Sequence, residues 1–331
     1  MLNHELVPVL RAHQPSNDLL REQYGIDLSE AELLKDNFNL VFACGDFIFR
    51  FSPARKKGIA EIRSELKWLW YLTEQGLLVN QIIPAKSGGN YLVFRVDQEL
   101  LYCVVFEKMQ GYSVQKADWG AAHFRKLGRL TGQLHKASIT FQAEVDQDFV
   151  HWHQHSKCYS FQLLPQDERQ LSGLKQALEE KFLKLPKHQD NYGVIHYDIH
   201  HGNYFLLRDR PGIPLFLFDF EMTSQGWFLL DIAVILYYAS NLNTTAGDQA
   251  RAEFEKQFLE YFQQGYRDYF PGSSFDQGLI QDFLLYRDLL VYGYVIDAWR
   301  GRELTEKDHR FMRLLEDNIA ERKVRWENTQ L

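Results

Sequence analysis

The sequence has little cysteine and no long apolar run. Its three cysteines, Cys44, Cys103 and Cys158, are odd in number and widely spaced over 331 residues, which argues against a disulfide framework and favours a reducing compartment. The N-terminal stretch lacks the apolar segment and cleavage site of a secretory signal, and no segment approaches the roughly 20 apolar residues that cross a bilayer. We therefore expect a cytoplasmic protein without a membrane partner.

Positive charge is also scarce. The chain has 37 Lys and Arg against 44 Asp and Glu, a formal net charge of −7. Binding to a phosphate backbone requires a basic stripe, and none is visible, so we expect no nucleic-acid partner. The negative balance would better suit a cationic or amine-bearing ligand. With 45% apolar and 24% charged residues, the chain is an ordinary globular sequence that is long enough for two lobes.

The first third of the chain predicts strands with one helix among them. Residues 40–51 hold two short apolar runs around Gly45 and Asp46, which is typical of a β-hairpin. Apolar residues recur at helical spacing over 58–76, and two more strands are predicted at 91–96 and 100–106. The order is therefore strand, strand, helix, strand, strand.

The rest of the chain is predicted to be mainly helical. The helices are expected near 117–137, 166–185, 229–240, 247–270, 276–299 and 304–326. A short β-rich island interrupts them, with strands at 193–196, 204–207 and 214–218. These patterns predict an α+β fold with a nucleotide-binding lobe over 1–107 and a catalytic and substrate-binding lobe over 108–331.

Three oxygen-bearing side chains occupy the polar segments of this island. Asp198 follows its first strand, Asn203 comes five positions later, and Asp219 directly follows its third strand. Magnesium prefers oxygen ligands and is commonly held by one or two protein groups together with substrate phosphates. Protein kinases use this spacing for a catalytic base and two metal ligands. It predicts Asp198 as the base for an acceptor hydroxyl, with Asn203 and Asp219 as Mg²⁺ ligands.

Two sequence segments carry a resemblance to a known family. VIHYDIHHGNYFL (194–206) and LFLFDFE (215–221) resemble the H-G-D-x-H-x-G-N and D-F-D motifs of the aminoglycoside phosphotransferase and choline kinase superfamily. Residues 218–238 are most similar to the branch of stress-response kinase A and homoserine-kinase-like phosphotransferases. The likeness covers nearly the whole chain. It implies a protein-kinase-like bilobal fold, a small antiparallel-sheet lobe with one helix and a larger helical lobe, with ATP and Mg²⁺ as cofactors.

The resemblance also implies which residues meet the nucleotide. FIFRF (47–51) looks like the strand whose basic residue reaches the α- and β-phosphates, and 61–77 looks like the helix whose acidic residue pairs with that base. VVFEKMQG (104–111) looks like the hinge that meets adenine between the lobes. The residues implied at the nucleotide are Arg50, Glu65, Phe106, Glu107 and Met109.

Further residues are implied around the catalytic loop and the acceptor. Asp231 resembles the family aspartate that braces the loop, and His196 and His200 are expected to support it structurally. Residues 127–135 resemble the helix that carries the family's Leu-His pair. C-terminal helices of this superfamily often line the acceptor pocket, which makes Asp288 and Tyr292 acceptor candidates. Glu221 is a further candidate because it lies in the segment that resembles the metal-binding D-F-D motif.

The sequence departs from the family pattern at several positions. Tyr197 stands where the family has glycine before the catalytic Asp, His201 enlarges the same loop, and Glu221 replaces the commoner Asp. Residues 33–42 contain no glycine, so we expect the backbone of 37–39 to cover the phosphates.

Single residues also have ordinary alternatives. Asp198 alone would be a solvated or capping loop residue, and Arg50 an exposed strand residue. Glu65 could belong to a solvated helix pair of small energetic worth. Three alternating histidines, His151, His153 and His155, could share one face of a strand. No cysteine or carboxylate at zinc-like spacing accompanies them.

The function favoured by these patterns is a small-molecule kinase. ATP and an alcohol of the amino alcohol or hydroxy amino acid class would give a phosphate ester. The alternatives are a Ser/Thr protein kinase of the stress-response type, a nucleotide-binding pseudokinase, and an aminoglycoside resistance kinase, to which the likeness is more distant. The retained Asp198 counts against a pseudokinase, because a pure binder needs no base. The sequence identifies neither the acceptor nor an oligomeric state.

Overall fold

The computed structural model describes residues 3–144, 149–154, 169–243 and 248–329. The chain forms two compact units. The first consists of Met1–Tyr112 and Phe205–Glu221, and the second of Ser113–Tyr204 and Met222–Leu331. The division into two lobes at residue 107 stays a prediction. The sequence did not indicate that 205–221 belongs to the first unit.

The first unit is built on a five-stranded antiparallel sheet in the order β1-β2-β3-β5-β4. Its elements are β1 (Glu32–Lys35), β2 (Leu40–Cys44), β3 (Phe47–Pro53), α3 (Ile59–Glu74), β4 (Leu92–Val96) and β5 (Glu99–Glu107). The predicted hairpin is confirmed, with Gly45 in its turn at φ +55°, a backbone conformation that glycine adopts without steric cost. The predicted order of two strands, a helix and two strands is likewise confirmed, but the sequence did not reveal β1, which precedes them.

Two N-terminal helices, α1 (Asn3–Ala12) and α2 (Gln14–Tyr24), were not predicted. Both are short, so neither would be stable alone in water, and their stability must come from tertiary packing. Leu6, Leu10 and Leu20 are fully buried in the same apolar cluster as the sheet residues Phe42 and Phe49. The helices therefore cover one face of the sheet in the first unit.

Backbone pairing explains why 205–221 belongs to the first unit. This segment contains most of β7 (Tyr204–Leu206) and all of β8 (Leu215–Leu217). Leu206 and Tyr112 exchange two backbone hydrogen bonds of 2.8 and 3.0 Å. Leu217 donates to the carbonyl of Leu78 at 2.9 Å and accepts from the amide of Asn80 at 3.3 Å.

The second unit is mainly helical, as predicted. Its elements are α4 (Ala121–Glu144), α5 (Arg169–Leu183), β6 (Tyr192–Ile195), β9 (Ser224–Trp227), α6 (Phe228–Asn243), α7 (Asp248–Tyr266), α8 (Gln277–Ala298) and α9 (Glu306–Thr329). Strand β9, which the sequence did not reveal, pairs antiparallel with β6. The expected single β island is therefore two separate two-stranded sheets. Within the described ranges, no helix combines the length and apolarity that a membrane span requires.

Glycines allow α4 and α7 to pack backbone against backbone. A Cβ atom at Gly128 would lie 1.9 Å from the carbonyl oxygen of Phe262, and one at Gly265 would lie 1.9 Å from that of Arg125. Real Cβ atoms do not approach backbone oxygen so closely, so the two helices are held at a distance that only glycine permits.

We expect Gly265→Ala to lower the free energy of unfolding by about 1–3 kcal/mol, because the added methyl group forces the two helices apart. Gly173→Ala is the matched control, since Gly173 lies in α5 with nothing within 4 Å of its ideal Cβ position. There the better helix propensity of alanine should raise stability by up to about 1 kcal/mol. Urea denaturation measures both values, and equal effects of the two substitutions would contradict the close packing.

Candidate active site

Asp198 and Asn203 lie in the loop between β6 and β7 and contact each other. The Nδ2 group of Asn203 donates to the backbone carbonyl of Asp198 at 2.9 Å and to its carboxylate Oδ2 at 3.3 Å. The amide oxygen of Asn203 remains available as a ligand atom. The Asp198 side chain is 19% exposed, so its carboxylate is accessible although the loop around it is mostly buried.

Asp231, the fourth residue of α6, fixes this loop through hydrogen bonds. Its two carboxylate oxygens accept the backbone N–H groups of His196 at 3.0 Å and Tyr197 at 2.7 Å. A fully buried carboxylate needs such partners to offset its desolvation. The arrangement fixes the backbone immediately before Asp198, and the role of Asp231 in supporting a catalytic loop stays a prediction.

His135 on α4 extends the bracing contacts. Its Nε2 lies 3.3 Å from Asp231 and its Nδ1 lies 2.9 Å from the hydroxyl of Tyr266, while the ring stacks on Phe228 at 4.2 Å. Burial lowers the pKa of His135, although Asp231 opposes the shift. The neutral ring can then donate through Nε2–H to Asp231 and accept at Nδ1 from Tyr266.

Tyr197 adopts the backbone conformation that glycine would favour. Its φ is +67°, in the left-handed region that costs a bulky residue of order 1–3 kcal/mol. The ring is fully buried, and the guanidinium carbon of Arg287 lies 5.9 Å from its centroid. The glycine of the family motif at this position is thus explained by backbone geometry, and Tyr197 adopts the same conformation with its ring buried.

The loop histidines accept backbone hydrogen bonds. Nδ1 of His196 accepts from the amide of Asp198 at 3.2 Å, and Nδ1 of His200 accepts from the amide of Gly202 at 3.0 Å. Burial lowers the pKa of His200 to about 4, although Asp198 opposes the shift. His200 is therefore neutral near pH 7 and does not act as a proton donor in its charged form.

Arg287 on α8 contacts Asp198 and was not among the predicted site residues. Its Nη2 nitrogen donates to Oδ1 of Asp198 at 2.5 Å and to the hydroxyl of Tyr238 at 2.7 Å. In the sequence, Arg287 interrupts an otherwise apolar helix. Helical periodicity could not tell which of several neighbouring polar residues faces the loop.

Asp288, one position later, does not face an open site. It is fully buried, and Arg322 of α9 donates to its Oδ2 at 2.7 Å. Tyr292, one turn further, is also buried. The two residues share a helix face, as predicted. Asp288, however, forms a structural ion pair in the core, so this acceptor candidate is corrected to a core residue. The acceptor role of Tyr292 stays a prediction.

The first unit contains the Arg50–Glu65 pair that the resemblance implies. Arg50 of β3 donates to both carboxylate oxygens of Glu65 of α3 at 2.7 and 2.9 Å, and Lys57 binds the same carboxylate at 2.5 Å. Burial alone would raise the pKa of Glu65, but the two cations lower it to about 2. Lys57 was missed because a lysine in a loop is usually exposed.

Lys57 also connects this cluster to the metal motif. Its ammonium donates to the backbone carbonyl of Glu221 at 3.0 Å. The Glu221 side chain is buried and accepts a hydrogen bond from Asn39. Glu221 is therefore engaged with the glycine-free loop before β2 and is corrected from an acceptor candidate to a residue that anchors this loop.

Asp219 is held at φ +65° in the same unit. The ammonium of Lys35 lies 3.2 Å from its Oδ2, so a cation already sits at this carboxylate. Carboxylate and amide oxygens suit Mg²⁺, which needs only one or two protein groups when phosphates complete its shell. Among the described residues, no group of three or more His, Cys, Asp or Glu side chains is arranged to hold a metal. The carboxylate of Asp219 in the first unit and the amide oxygen of Asn203 in the second each have the donor chemistry that Mg²⁺ prefers.

The predicted adenine-contacting residues lie at the end of β5 and just after it. Phe106 is buried, and its ring lies 5.3 Å from the guanidinium carbon of Arg50. The amide of Glu107 donates to the carbonyl of Gln81 at 2.9 Å, while Met109 is partly exposed in the following segment. Their contact with a nucleotide stays a prediction.

The alternating histidines are only partly described. The rings of His151 and His153 stack at 5.9 Å, and Nδ1 of His151 lies 2.9 Å from the hydroxyl of Tyr192. Burial lowers the pKa of both imidazoles. His155 lies outside the described residues, as does Cys158.

His123 provides a test of how stability depends on pH. Its Nε2 lies 2.9 Å from the hydroxyl of Tyr204, and burial lowers its pKa to about 4. Between pH 6.5 and 4 the unfolded chain therefore binds the proton that the folded chain does not, and stability falls as the pH falls.

From the model-peptide pKa of about 6.5, we expect His123 to cost roughly 2 kcal/mol at pH 5 relative to pH 8. Urea denaturation at the two pH values measures the total loss of stability, and His123→Gln should reduce that loss by this amount. The exposed His309 is the matched control: a His309→Gln variant should keep the wild-type pH dependence. An unchanged loss in His123→Gln would assign it to other groups.

Comparison with known proteins places this geometry in context. A family model described as "Phosphotransferase enzyme family" matches residues 31–271. Amicoumacin kinase of Bacillus subtilis (strain 168) is 27% identical over 280 residues, which are 82% of this chain and 81% of that protein.

Two solved structures support the comparison. A structure of amicoumacin kinase hAmiN in complex with AMP-PNP, Ca²⁺ and Ami aligns with a TM-score of 0.83 and 25% identity, over 96% of this chain and 95% of that chain. The microcompartment-associated aminopropanol kinase aligns with a TM-score of 0.70 and 19% identity, over 95% of this chain and 97% of that chain, and shares the fold.

Proposed function

We infer the reaction from the family of the chain, which belongs to the phosphotransferase enzyme family. The members of the superfamily have the protein-kinase-like fold, and this chain is an ATP-dependent kinase. We propose that it transfers the γ-phosphate of ATP to a hydroxyl group of a small molecule. The acceptor belongs to the amino alcohol or hydroxy amino acid class.

The observation that carries this proposal is the contact between Asp198 and Asn203 in a loop whose backbone is fixed by hydrogen bonds to Asp231. A kinase needs little covalent chemistry from the protein, and its rate depends mainly on positioning and charge stabilisation. A fixed loop with an accessible carboxylate beside a ligand amide meets the first requirement.

Asp198 is the proposed base. It accepts the hydroxyl hydrogen of the acceptor and directs the oxygen lone pair towards the γ-phosphorus. As the new oxygen–phosphorus bond forms, the bond between the γ-phosphorus and the bridging oxygen breaks and ADP leaves. The hydroxyl proton passes to the Asp198 carboxylate and then to solvent.

Asn203 and Asp219 are the groups that would hold Mg²⁺. When bound, this ion neutralises charge on the phosphate oxygens. Arg50 is proposed to contact the α- and β-phosphates. In support, Arg50 and Lys57 share the single carboxylate of Glu65, so these three side chains carry one net positive charge. Phe106, Glu107 and Met109 are the proposed adenine contacts.

A second acceptor is suggested by sequence similarity. The curated relative described above is named amicoumacin kinase, so amicoumacin is a specific alternative to an amino alcohol or hydroxy amino acid. That relative acts on a small molecule, which favours a small acceptor over the protein substrate of a Ser/Thr kinase. The presence of Asp198 and Asn203 together favours catalysis over a pseudokinase.

Measurement of ADP release with Mg-ATP tests the proposal. The acceptor panel contains amino alcohols, hydroxy amino acids, amicoumacin, an aminoglycoside and a generic protein, and phosphate-ester formation is verified by mass spectrometry. We expect release above the acceptor-free rate with at least one small molecule. If every acceptor gave the same ADP release in wild type and in Asp198→Asn, the proposed function would be wrong.

A further inference from the structure

The second unit contains a cavity of about 600 Å³, and none of its described lining residues belongs to the loop between β6 and β7. The ends of several elements surround this cavity: the connection from α5 to β6, the first turns of α6 and α8, the end of α7, and the connection from α7 to α8. Small-molecule sites typically measure about 300–1,000 Å³ and often lie between helices. The cavity is therefore of a size that suits a small organic ligand.

Four aromatic side chains that line the cavity also contact one another. Tyr266 stacks on Phe270 with ring centroids 4.9 Å apart and meets Phe275 edge-to-face at 5.4 Å. The ring of Phe228 lies 6.3 Å from that of Phe270. Such ring pairs each contribute about 0.5–1.5 kcal/mol beyond burial, so this wall is formed before any ligand binds. A preformed aromatic wall favours a flat aromatic ligand, because little order has to be created on binding.

The charges around the cavity favour a cationic group on that ligand. Asp190 and Asp276 line the cavity and are exposed, and its described lining contains no Lys, Arg or His. Asp276 also caps α8 by accepting the amide of Leu279 at 3.0 Å, which uses one of the roughly four acceptor sites of a carboxylate. Two basic side chains of the neighbouring segments, Lys187 and Arg267, contact a tyrosine ring and a backbone carbonyl. An ammonium group is thus favoured over a carboxylate.

The cavity shares two residues with the contacts that hold the proposed catalytic loop. Phe228 stacks on His135 at 4.2 Å, and the hydroxyl of Tyr266 lies 2.9 Å from Nδ1 of the same ring. His135 in turn lies 3.3 Å from Asp231, whose carboxylate accepts two backbone amides of the loop. A ligand that packs against Phe228 and Tyr266 therefore stabilises the arrangement to which the loop backbone is bonded.

We propose that this cavity is a second ligand site that takes a small aromatic amine, and that its occupant stabilises the loop through Tyr266 and His135. The aromatic body lies against the ring cluster, and the ammonium group pairs with Asp190 and Asp276. None of the residues proposed for the nucleotide, the metal or the acceptor is among the described lining residues. The inference therefore goes beyond the proposed function and does not depend on it.

Three indoles of similar shape test the ligand class. Tryptamine carries an ammonium group, 3-methylindole is neutral, and indole-3-propionate carries a carboxylate. Each is titrated by NMR in the presence of saturating Mg²⁺ and a non-hydrolysable ATP analogue, which occupies the proposed nucleotide site. We expect tryptamine to bind saturably with a Kd of about 1 mM or lower. Its affinity should exceed that of 3-methylindole about 3- to 10-fold, and indole-3-propionate should bind more weakly than either.

Substitutions in the lining locate the site. Asp190→Asn combined with Asp276→Asn should lower the affinity for tryptamine about 3- to 10-fold and leave that for 3-methylindole unchanged, since asparagine still caps α8. Asp297→Asn, at the exposed far end of α8, is the matched control. Leu229→Trp places a larger side chain in the lining and should weaken all binding about tenfold or more. Ser274→Trp, on the exposed connection to α8, replaces it if thermal unfolding shows that Leu229→Trp does not fold.

Hydrogen exchange tests the connection to the loop. The amides of His196 and Tyr197 donate to Asp231, so a peptide that covers them reports on the loop, and a peptide from α9 is the reference. Tryptamine should slow exchange in the loop peptide about threefold or more relative to α9. Tyr266→Phe keeps the ring but loses the hydroxyl that contacts His135. This variant should still bind tryptamine, without the selective slowing in the loop.

Three binding results would overturn the site: no saturable binding of tryptamine, tighter binding of indole-3-propionate than of tryptamine, or binding that neither tryptophan substitution weakens. Binding without selective slowing in the wild-type loop, or slowing that persists in Tyr266→Phe, would overturn the connection through His135. None of these measurements involves phosphate transfer, so their outcome is independent of whether the proposed function holds.

Discussion

Asp198→Asn is expected to lower kcat by about 10²- to 10⁴-fold, equivalent to about 3–5 kcal/mol of barrier, with little change in KM for ATP. Asparagine keeps the shape of the side chain but cannot accept the hydroxyl proton or hold the charge of Arg287. The backbone carbonyl that binds Asn203 at 2.9 Å is unaltered. The loss should therefore appear in the chemical step, and single-turnover experiments with saturating ATP should measure it directly.

Asp209→Asn is the matched control for this substitution. Asp209 is exposed in the turn between β7 and β8, and the variant should keep wild-type kcat within about twofold, since surface substitutions rarely perturb a protein by more than about 0.5 kcal/mol. Because Asp198→Asn leaves the buried Arg287 without its carboxylate partner, its midpoint of thermal unfolding should be lower than that of Asp209→Asn. An Asp198→Asn enzyme with more than a tenth of wild-type kcat would show that another group takes the proton.

Arg322→Met is expected to lower the free energy of unfolding by about 3–5 kcal/mol, the cost of leaving buried charges unpaired. Arg322 of α9 donates to Asp288 of α8 at 2.7 Å and to Glu255 of α7 at 3.2 Å. All three side chains are buried. Methionine preserves the apolar stem but leaves two carboxylates without their shared cation, so three helices lose one common contact.

The pH dependence of this loss has a definite sign. Burial raises the pKa of Asp288, and in the native protein Arg322 opposes that shift. Without Arg322 the folded pKa rises further above the unfolded value, so the folded variant binds an extra proton as the pH falls and recovers stability. The destabilisation should therefore be larger at pH 8 than at pH 5 in urea denaturation.

Arg325→Met tests whether the effect belongs to the buried network. Arg325 lies on the same helix, is 47% exposed at its side chain, and pairs with Glu321. Its loss should cost no more than about 1 kcal/mol, because exposed ion pairs contribute little. Asp288→Asn combined with Arg322→Met should recover part of the loss. Equal costs for the two arginine substitutions would exclude a structural role for the network.

The predicted elements that proved accurate depend on local patterns. The hairpin at β2 and β3, the helix α3, and the six helices of the second unit follow from apolar spacing and from glycine at turns, which one segment carries by itself. The motif that contains Asp198 and Asn203 is equally local. Strand β9 was missed because SQGW has no alternating pattern, and it forms only because β6 offers a pairing edge.

Helix α8 shows where local patterns stop. Its sequence interrupts an apolar run with Arg287, Asp288 and Tyr292, and the predicted helix is confirmed. Adjacent positions on a helix point about 100° apart, so the choice between Arg287 and Asp288 depends on which neighbours surround the helix. In the folded chain Arg287 meets Asp198, and Asp288 meets Arg322.

The strands and helices that were predicted, the family and the spacing of the proposed catalytic motif are encoded in short stretches of sequence, because backbone propensity and motif spacing act over a few residues. The partners of the charged side chains required the folded chain. The paired positions lie from 8 to 182 residues apart in the chain: Lys57 with Glu65, Asn39 with Glu221, and Arg287 with Asp198. Such pairs arise only when packing removes water from both groups, since a buried charge is stable only beside the partner that the fold provides.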